Sequence, residues 1–248
     1  MRPLRTLWRL LRAIVHGLHG LLVVLLVLPH VGETGRLQRV QWWSAKLLRL
    51  LGVELQVIGS FKPGAKLLVA NHISWLDIMA IHCVCPEARF VSKADVQAWP
   101  LIGRLVDAGG TLYIQREKRR DAMRVVHQMA DALRGGDTVA IFPEGTTADG
   151  HALLPFHANL LQAAIATEAA VQPLALRYAD AEHAVSRAAQ FVGDTTLAQS
   201  LWMLAGGERL SVTVKVLAPE ATAHGDRRAL AEHLRSTISQ ALDSGPPA

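Results

Sequence analysis

Hydrophobic and polar positions change rhythm along the chain. From residue 51 onward, short apolar or alternating runs of strand length are separated by longer stretches whose apolar residues recur every three or four positions. The strand-like runs are "VELQVIG" at 53–59, "KLLVA" at 66–70, "RFVSK" at 89–93, "GTLYIQ" at 110–115, "DTVAIF" at 137–142, "VQPLAL" at 171–176 and "SVTVKVL" at 211–217. Helical periodicity covers 74–84, 98–107, 121–134, 156–169 and 226–242. This alternation predicts an α/β fold: a single domain with a mixed, mainly parallel sheet flanked by helices. Local punctuation agrees, since Ser74 is placed to cap one helix, Pro100 to open the next, and "LRGGD" to stop a third.

Before residue 51 the pattern differs. "MRPLRTLWRLLRAIVHGLHGLLVVLLVLPH" begins with four arginines and then becomes almost purely apolar through Leu28. Its apolar stretch, interrupted by His16 and His19, stands at the lower edge of the roughly 17–25 residues that a spanning helix needs. A short tilted span and a helix lying in the membrane interface both remain open. No small-residue cleavage site follows, so an uncleaved arm is expected rather than a removed signal. The next segment, "RLQRVQWWSAKLLRLLG", carries Leu37, Val40, Trp43, Leu47 and Leu50 at helical intervals, with Trp42 and Trp43 suited either to lipid headgroups or to a core. The expected organisation is residues 1–50 as N-terminal membrane-associating helices, 51–243 as the folded catalytic-sized domain and 244–248 as a flexible tail.

Composition sharpens the membrane reading. Half of the 248 residues are hydrophobic and 19% are charged, with a mean hydropathy of +0.22, which is high for a freely soluble protein. The formal net charge is +5, but nine Lys/Arg and two acids within residues 1–62 give that part +7 and leave the rest near −2. A nucleic-acid footprint would place its basic excess on the folded module. Here it is interleaved with Leu, Trp and Val in the arm, so lipid is the expected partner and nucleic acid is not. Cys83 and Cys85 are too few for a disulfide framework and lack the second pair of a zinc site. They are expected to be reduced and buried, consistent with a domain on the cytoplasmic side of a membrane.

Candidate chemistry gathers beyond three of the strand-like runs, where open α/β sheets commonly bind ligands. "ANHISWLD" at 70–77 places His72 five residues before Asp77. A neutral imidazole with one nitrogen facing an alcohol and the other held by a carboxylate can act as a general base. The same spacing also suits a local turn or helix cap. Arg116 opens "REKRR", where a guanidinium can hold a phosphate with two parallel hydrogen bonds or merely belong to a solvated charge run. In "FPEGTT", Glu144, Gly145 and Thr146 can meet a polar substrate or form a rigid turn. There is no G-x-S-x-G elbow and no H-E-x-x-H, so neither a serine nucleophile nor a metal is expected.

Taken together, the ordered motifs resemble the membrane-associated glycerolipid acyltransferase family, 1-acyl-sn-glycerol-3-phosphate acyltransferases included. "NHISWLD" is similar to the family's first motif, "GTLYIQR" to the second, "FPEGTT" to the third and "VQPLAL", around Pro173, to the fourth; "VSKADVQAWPLIGRL" looks like the segment joining the first two. The resemblance runs from about residue 40 to residue 217. It implies transfer of a fatty acyl group from a thioester of coenzyme A or acyl carrier protein to a lysophospholipid hydroxyl; the expected acceptor is 1-acyl-sn-glycerol-3-phosphate, giving phosphatidic acid, with lyso-ornithine lipid or another lysophospholipid as the alternative. His72 would be the base and Asp77 its orienting partner. Arg116 would bind the acceptor phosphate, and Glu144, Gly145 and Thr146 would shape the acceptor site. No permanently bound cofactor is implied, and the expected location is the cell inner membrane or another cytoplasm-facing membrane. One departure stands out. Phosphatidic-acid-forming members often carry arginine where this chain has Thr147, and this loop also resembles that of relatives acylating lyso-ornithine lipid. A nonenzymatic lipid-binding membrane protein is the alternative of a different class.

Overall fold

The computed structural model describes residues 2–114, 119–223 and 225–244. Among these residues seven strands form one sheet: β1 (Val53–Ile58), β2 (Lys66–Ala70), β3 (Arg89–Lys93), β4 (Leu112–Ile114), β5 (Thr138–Ile141), β6 (Ala170–Ala179) and β7 (Leu210–Val216). Their spatial order is β1-β7-β6-β2-β5-β3-β4. All neighbouring pairs are parallel except β6 with β7. The sheet is thus mixed and mainly parallel, as the alternating pattern implies.

Burial follows position in the sheet. Every residue of the central strands β2 and β5 is buried, because helices cover both faces of a parallel sheet and leave no side for water. β7 instead alternates buried and half-buried residues, the period-two signature of a strand with one covered face. Two apolar clusters fill the two sides. One centres on Leu68, Leu76, Ile81, Leu174, Leu176 and Tyr178. The other centres on Leu67, Val69, Met129, Val139, Ile141 and Leu234. Consecutive residues of β2 therefore point to opposite clusters.

Among the described residues eight α-helices surround the sheet: α1 (Arg2–Leu26), α2 (Glu33–Leu51), α3 (Leu76–Val84), α4 (Ile102–Ala108), α5 (Arg119–Arg134), α6 (Gln162–Thr167), α7 (Leu197–Gly206) and α8 (Arg227–Asp243). The expected helix at 98–107 begins later, at Ile102. Trp99 is extended, as a residue before proline tends to be, and Leu101 has φ 65°. The stretch 156–169 resolves into a 3₁₀ turn at Ala158–Leu161 and a short α6. Helix α7 lies where no helix is expected from the pattern, and β6 runs three residues past its expected end.

The N-terminal arm is a helical pair packed on the domain. Gly52, with φ 80°, ends α2 in the left-handed conformation and donates its N–H to the Arg49 carbonyl at 3.1 Å. Trp43 is partly buried and donates its indole N–H to the His16 carbonyl at 3.1 Å, while His16 Nε2–H donates to the Trp43 carbonyl at 3.0 Å. Trp42 stays exposed beneath Lys46, whose ammonium lies 4.6 Å from the ring centre. The two tryptophans therefore divide the roles expected of them. By length and apolar composition the stretch Pro3–His30, most of α1 and the 3₁₀ turn after it, is also a candidate membrane span.

Candidate active site

Strands β2 and β5 are parallel neighbours, so the loops leaving their carboxyl ends emerge side by side. The β2 loop carries His72 and leads into α3. The β5 loop carries Glu144. Their convergence is a consequence of sheet order and needs no long-range insertion.

His72 Nδ1–H donates to Asp77 Oδ2 at 2.8 Å. The same oxygen accepts the backbone N–H groups of Ile73 at 2.7 Å and Ser74 at 2.9 Å. Asp77 is completely buried, whereas the His72 side chain keeps 19% of its surface exposed. The expected cap is reversed here. The Ser74 hydroxyl makes no hydrogen bond among the described residues, and the Asp77 carboxylate organises the turn from inside the first turn of α3, where negative charge is favourable. Since Nδ1 carries the proton given to Asp77, Nε2 is left as the acceptor nitrogen of a neutral imidazole.

The imidazole is held on further sides. Its ring stacks on Phe142 with centroids 4.0 Å apart and planes 10° from parallel. Its backbone N–H donates to Glu144 Oε1 at 2.7 Å, and its carbonyl accepts from the Ala148 N–H at 2.7 Å. Glu144 Oε2 accepts the Leu154 N–H at 2.8 Å. Both oxygens of this buried carboxylate therefore tie backbone segments together. Burial pushes the Glu144 carboxyl above its ordinary range, while the two backbone N–H bonds pull it back down. Gly145, with φ 75°, turns the chain immediately after it, and Thr146 is exposed beside the loop.

Other residues singled out by the sequence fall as follows. Arg116 lies outside the described residues. Strand β4, which precedes it, ends at Ile114 on the same edge of the sheet, three strand positions from β2. The Thr147 hydroxyl donates to the Phe191 carbonyl, so this side chain is turned into the neighbouring backbone. Pro173 sits in β6 opposite Val69 of β2. Cys83 and Cys85 are free and buried. Burial pushes the Cys83 thiol up to about 12 and raises Cys85 further, so neither is primed as a nucleophile. Among the described residues no group of three His, Cys, Asp or Glu side chains is arranged to hold a metal ion. Of the expected tail at 244–248, only Ser244 is described, and its hydroxyl receives a hydrogen bond from Lys215 at 3.1 Å.

Sequence patterning alone misses several supports of this arrangement. Asn71 spans from β2 to β6, donating to the Leu176 carbonyl at 2.9 Å and accepting the Leu176 N–H at 2.8 Å. Phe142 is legible only as the last residue of an apolar run, because stacking on His72 depends on strand adjacency.

Known proteins resemble this chain in sequence and in fold. An acyltransferase family model matches residues 55–177. The lyso-ornithine lipid O-acyltransferase of Pseudomonas aeruginosa is 38% identical over 216 residues, covering 87% of this chain and 83% of its own. A 1-acyl-sn-glycerol-3-phosphate acyltransferase of Neisseria gonorrhoeae is 35% identical over 189 residues, 76% of this chain and 73% of its own. The crystal structure of the 1-acyl-sn-glycerophosphate acyltransferase PlsC from Thermotoga maritima superposes with a TM-score of 0.73 over 98% of this chain and 97% of that one, at 19% identity, which shows a common fold. This chain belongs to the PlsC-like acyltransferase family, which includes lysophospholipid acyltransferases. Its general chemistry is accordingly acyl transfer to a lipid acceptor, and family membership implies a thioester donor on coenzyme A or acyl carrier protein. The nonenzymatic alternative gives way to that assignment.

Proposed function

We propose that this protein acylates the free hydroxyl of a lyso-lipid at a membrane surface, with His72 as general base, and that lyso-ornithine lipid is its acceptor ahead of 1-acyl-sn-glycerol-3-phosphate. The observation carrying the base assignment is the 2.8 Å bond from His72 to a fully buried Asp77. It fixes the tautomer and stabilises the imidazolium that forms when Nε2 takes a proton. In the proposed reaction, Nε2 removes the hydroxyl proton as the oxygen attacks the thioester carbonyl carbon. The tetrahedral intermediate then expels the thiolate, which takes the proton from the imidazolium. A thiol has a pKa of about 8.5, so its thiolate leaves far more readily than an alkoxide and no acyl-enzyme is needed.

The acceptor reading rests on Thr147. A phosphate monoester carries about −1.5 to −2 charge at neutral pH and calls for several cations. Here Thr147 stands where phosphatidic-acid-forming relatives often have arginine, and its hydroxyl is committed to Phe191. A zwitterionic ornithine headgroup needs less positive charge, and the relative that is 38% identical bears the corresponding name. Arg116 is proposed to hold the acceptor's anionic group, with Gly145 and Thr146 shaping the wall beside it. Glu144 contributes to that wall through the backbone it holds. The proposed location is a cytoplasm-facing membrane, the cell inner membrane in particular.

The test supplies labelled acyl-CoA and acyl carrier protein with each acceptor. A kcat/KM at least about tenfold higher for lyso-ornithine lipid is expected, the equivalent of one charge-assisted hydrogen bond. The reverse ranking would overturn the acceptor assignment, and thioester hydrolysis indifferent to every lipid would overturn transfer itself. Thr147→Arg is expected to raise kcat/KM for 1-acyl-sn-glycerol-3-phosphate by about tenfold. His72→Ala should lower kcat by roughly 10²–10⁴-fold while leaving membrane association intact.

A further inference from the structure

Asp77 uses only one of its two carboxylate oxygens in the contacts described above. Oδ2 takes three N–H donors, whereas Oδ1 is buried and accepts no hydrogen bond of standard geometry. A buried carboxylate oxygen without a donor is costly, more so than a neutral acceptor would be. On β6, the Tyr178 hydroxyl is likewise buried and makes no hydrogen bond of standard geometry. Tyr178 itself is only 1% exposed.

The fold brings these two complementary groups together. The reciprocal Asn71–Leu176 clamp locks the end of β2 to β6. Tyr178 lies two residues beyond Leu176 and so shares its face of the strand, in the same apolar cluster as Leu76, Ala80 and Ile81 of α3. A phenol O–H is a donor and an ionised carboxylate oxygen is purely an acceptor. Burial raises the phenol pKa well above its ordinary value, and the adjacent Asp77 charge raises it further, so the hydroxyl keeps its proton for donation.

We propose that Tyr178 is a positioning residue: its hydroxyl donates to Asp77 Oδ1, fixing the carboxylate so that Oδ2 faces His72. It touches neither substrate and acts through Asp77 alone. The inference deepens the proposed base assignment and rests on it. The hydroxyl also draws part of the carboxylate's negative charge away from Oδ2, which tempers how strongly Asp77 stabilises the imidazolium. The other ionisable groups around this pair are Glu144 from the β5 loop and Cys83 on α3. The protonated thiol carries no charge, and Glu144 is unchanged by substitution at Tyr178.

Tyr178→Phe removes the hydroxyl and keeps the ring in its packing. The expected result is a kcat about tenfold lower with KM for donor and acceptor within about twofold. More charge would then face the imidazolium, so a higher pH would be needed to free the base. The acid limb of the pH profile should therefore move up by about half a unit or more. In an Asp77→Asn background the same substitution should have almost no further effect on kcat, because a residue acting through a partner is non-additive with it. Ser74→Ala, which removes a buried hydroxyl from the loop between β2 and α3, should leave the acid limb in place. An unchanged kcat and acid limb in Tyr178→Phe would overturn the inference. So would full additivity with Asp77→Asn, a lowered melting temperature with no movement of the limb, or a limb shift seen in Ser74→Ala instead. His72→Ala measured alongside separates the failures: an active His72→Ala removes the base assignment and this inference together. An inactive His72→Ala beside an unaltered Tyr178→Phe removes this inference alone.

Discussion

At Asp77 one oxygen performs two tasks that substitution can separate. It orients His72, and it gathers the Ile73 and Ser74 N–H groups that shape the loop. Asparagine keeps a carbonyl oxygen able to accept those N–H groups but loses the charge that steadies an imidazolium. Asp77→Asn is therefore expected to lower kcat by about 10²-fold or more while costing only about 1 kcal/mol of stability. Asp77→Ala should be equally inactive and lose several times as much stability, which kinetics and denaturant melts on the same pair will test. Glu144 offers a different separation, because its folded-state pKa is raised by burial. The folded protein then binds that proton more tightly than the unfolded chain does. Its contribution to stability consequently falls as pH rises from the ordinary carboxylate value through the raised one. Glu144→Gln removes this slope but turns an amide NH₂ toward a backbone N–H, leaving one donor without its acceptor. Denaturant melts between pH 4 and 8 should show the variant losing about 1–3 kcal/mol overall with a flatter pH dependence than the parent. The His72–Asp77 spacing and the Glu144 loop are legible in the sequence because each is a short contiguous motif beside a strand end. Tyr178, Asn71 and Phe142 are not, since their contacts depend on which strands lie next to β2.

Helix α7 shows the same division between local and long-range information. It is apolar on more than one face, with Leu204 and Ala205 buried and Trp202 exposed, so its periodicity is blurred. The local signal that marks it is a capping box: Thr196 Oγ1 accepts the Gln199 N–H, and the Gln199 side chain accepts the Thr196 N–H at 2.8 Å. Most strands were readable because their apolar runs are bounded by polar or glycine residues. The reach of β6 to Ala179 was not, because its last residues "RYA" lose the apolar run and stay in the sheet only by pairing with β7. The far end of α7 is held by α1. Arg9 donates to the Ala205 carbonyl at 3.1 Å and the Gly207 carbonyl at 2.9 Å, and Arg5 pairs with Glu208 at 2.8 Å. A guanidinium at these carbonyls meets the negative end of the helix dipole. Arg9→Ala should cost about 1–3 kcal/mol and raise hydrogen-exchange rates along the first half of α1 and the end of α7. Turnover measured in detergent should stay within about twofold, because the site loops are built on β2 and β5.

On the scale of the whole molecule, the attachment of α1 bears on how the protein meets its lipid. Thr6 and Ala13 are buried where α1 packs on the rest of the molecule, His16 is buried against Trp43 of α2, and a side chain at Gly20 would collide with the Trp43 ring. These positions follow one face of the helix over fourteen residues, about 21 Å of axis at 1.5 Å per residue. The opposite face exposes Leu4, Leu7, Trp8, Leu11, Ile14, Leu18 and Leu22. A helix held along that length by packing is better matched to lying against the membrane with the rest of the molecule than to crossing it alone. Its apolar face, with arginines near one end, suits a helix lying in the headgroup boundary, immersed about 5–10 Å. The proposed orientation also puts an enzyme that handles both a water-soluble thioester and a membrane lipid at the surface where the two meet. Single nitroxide labels at Leu7 and Leu22 should report similar shallow depths in vesicles containing anionic lipid, and both sites should be accessible to reagent from the outer solution. A spanning helix would place them at different depths, with one protected behind the bilayer, and that result would exclude the in-plane arrangement without bearing on the base role proposed for His72.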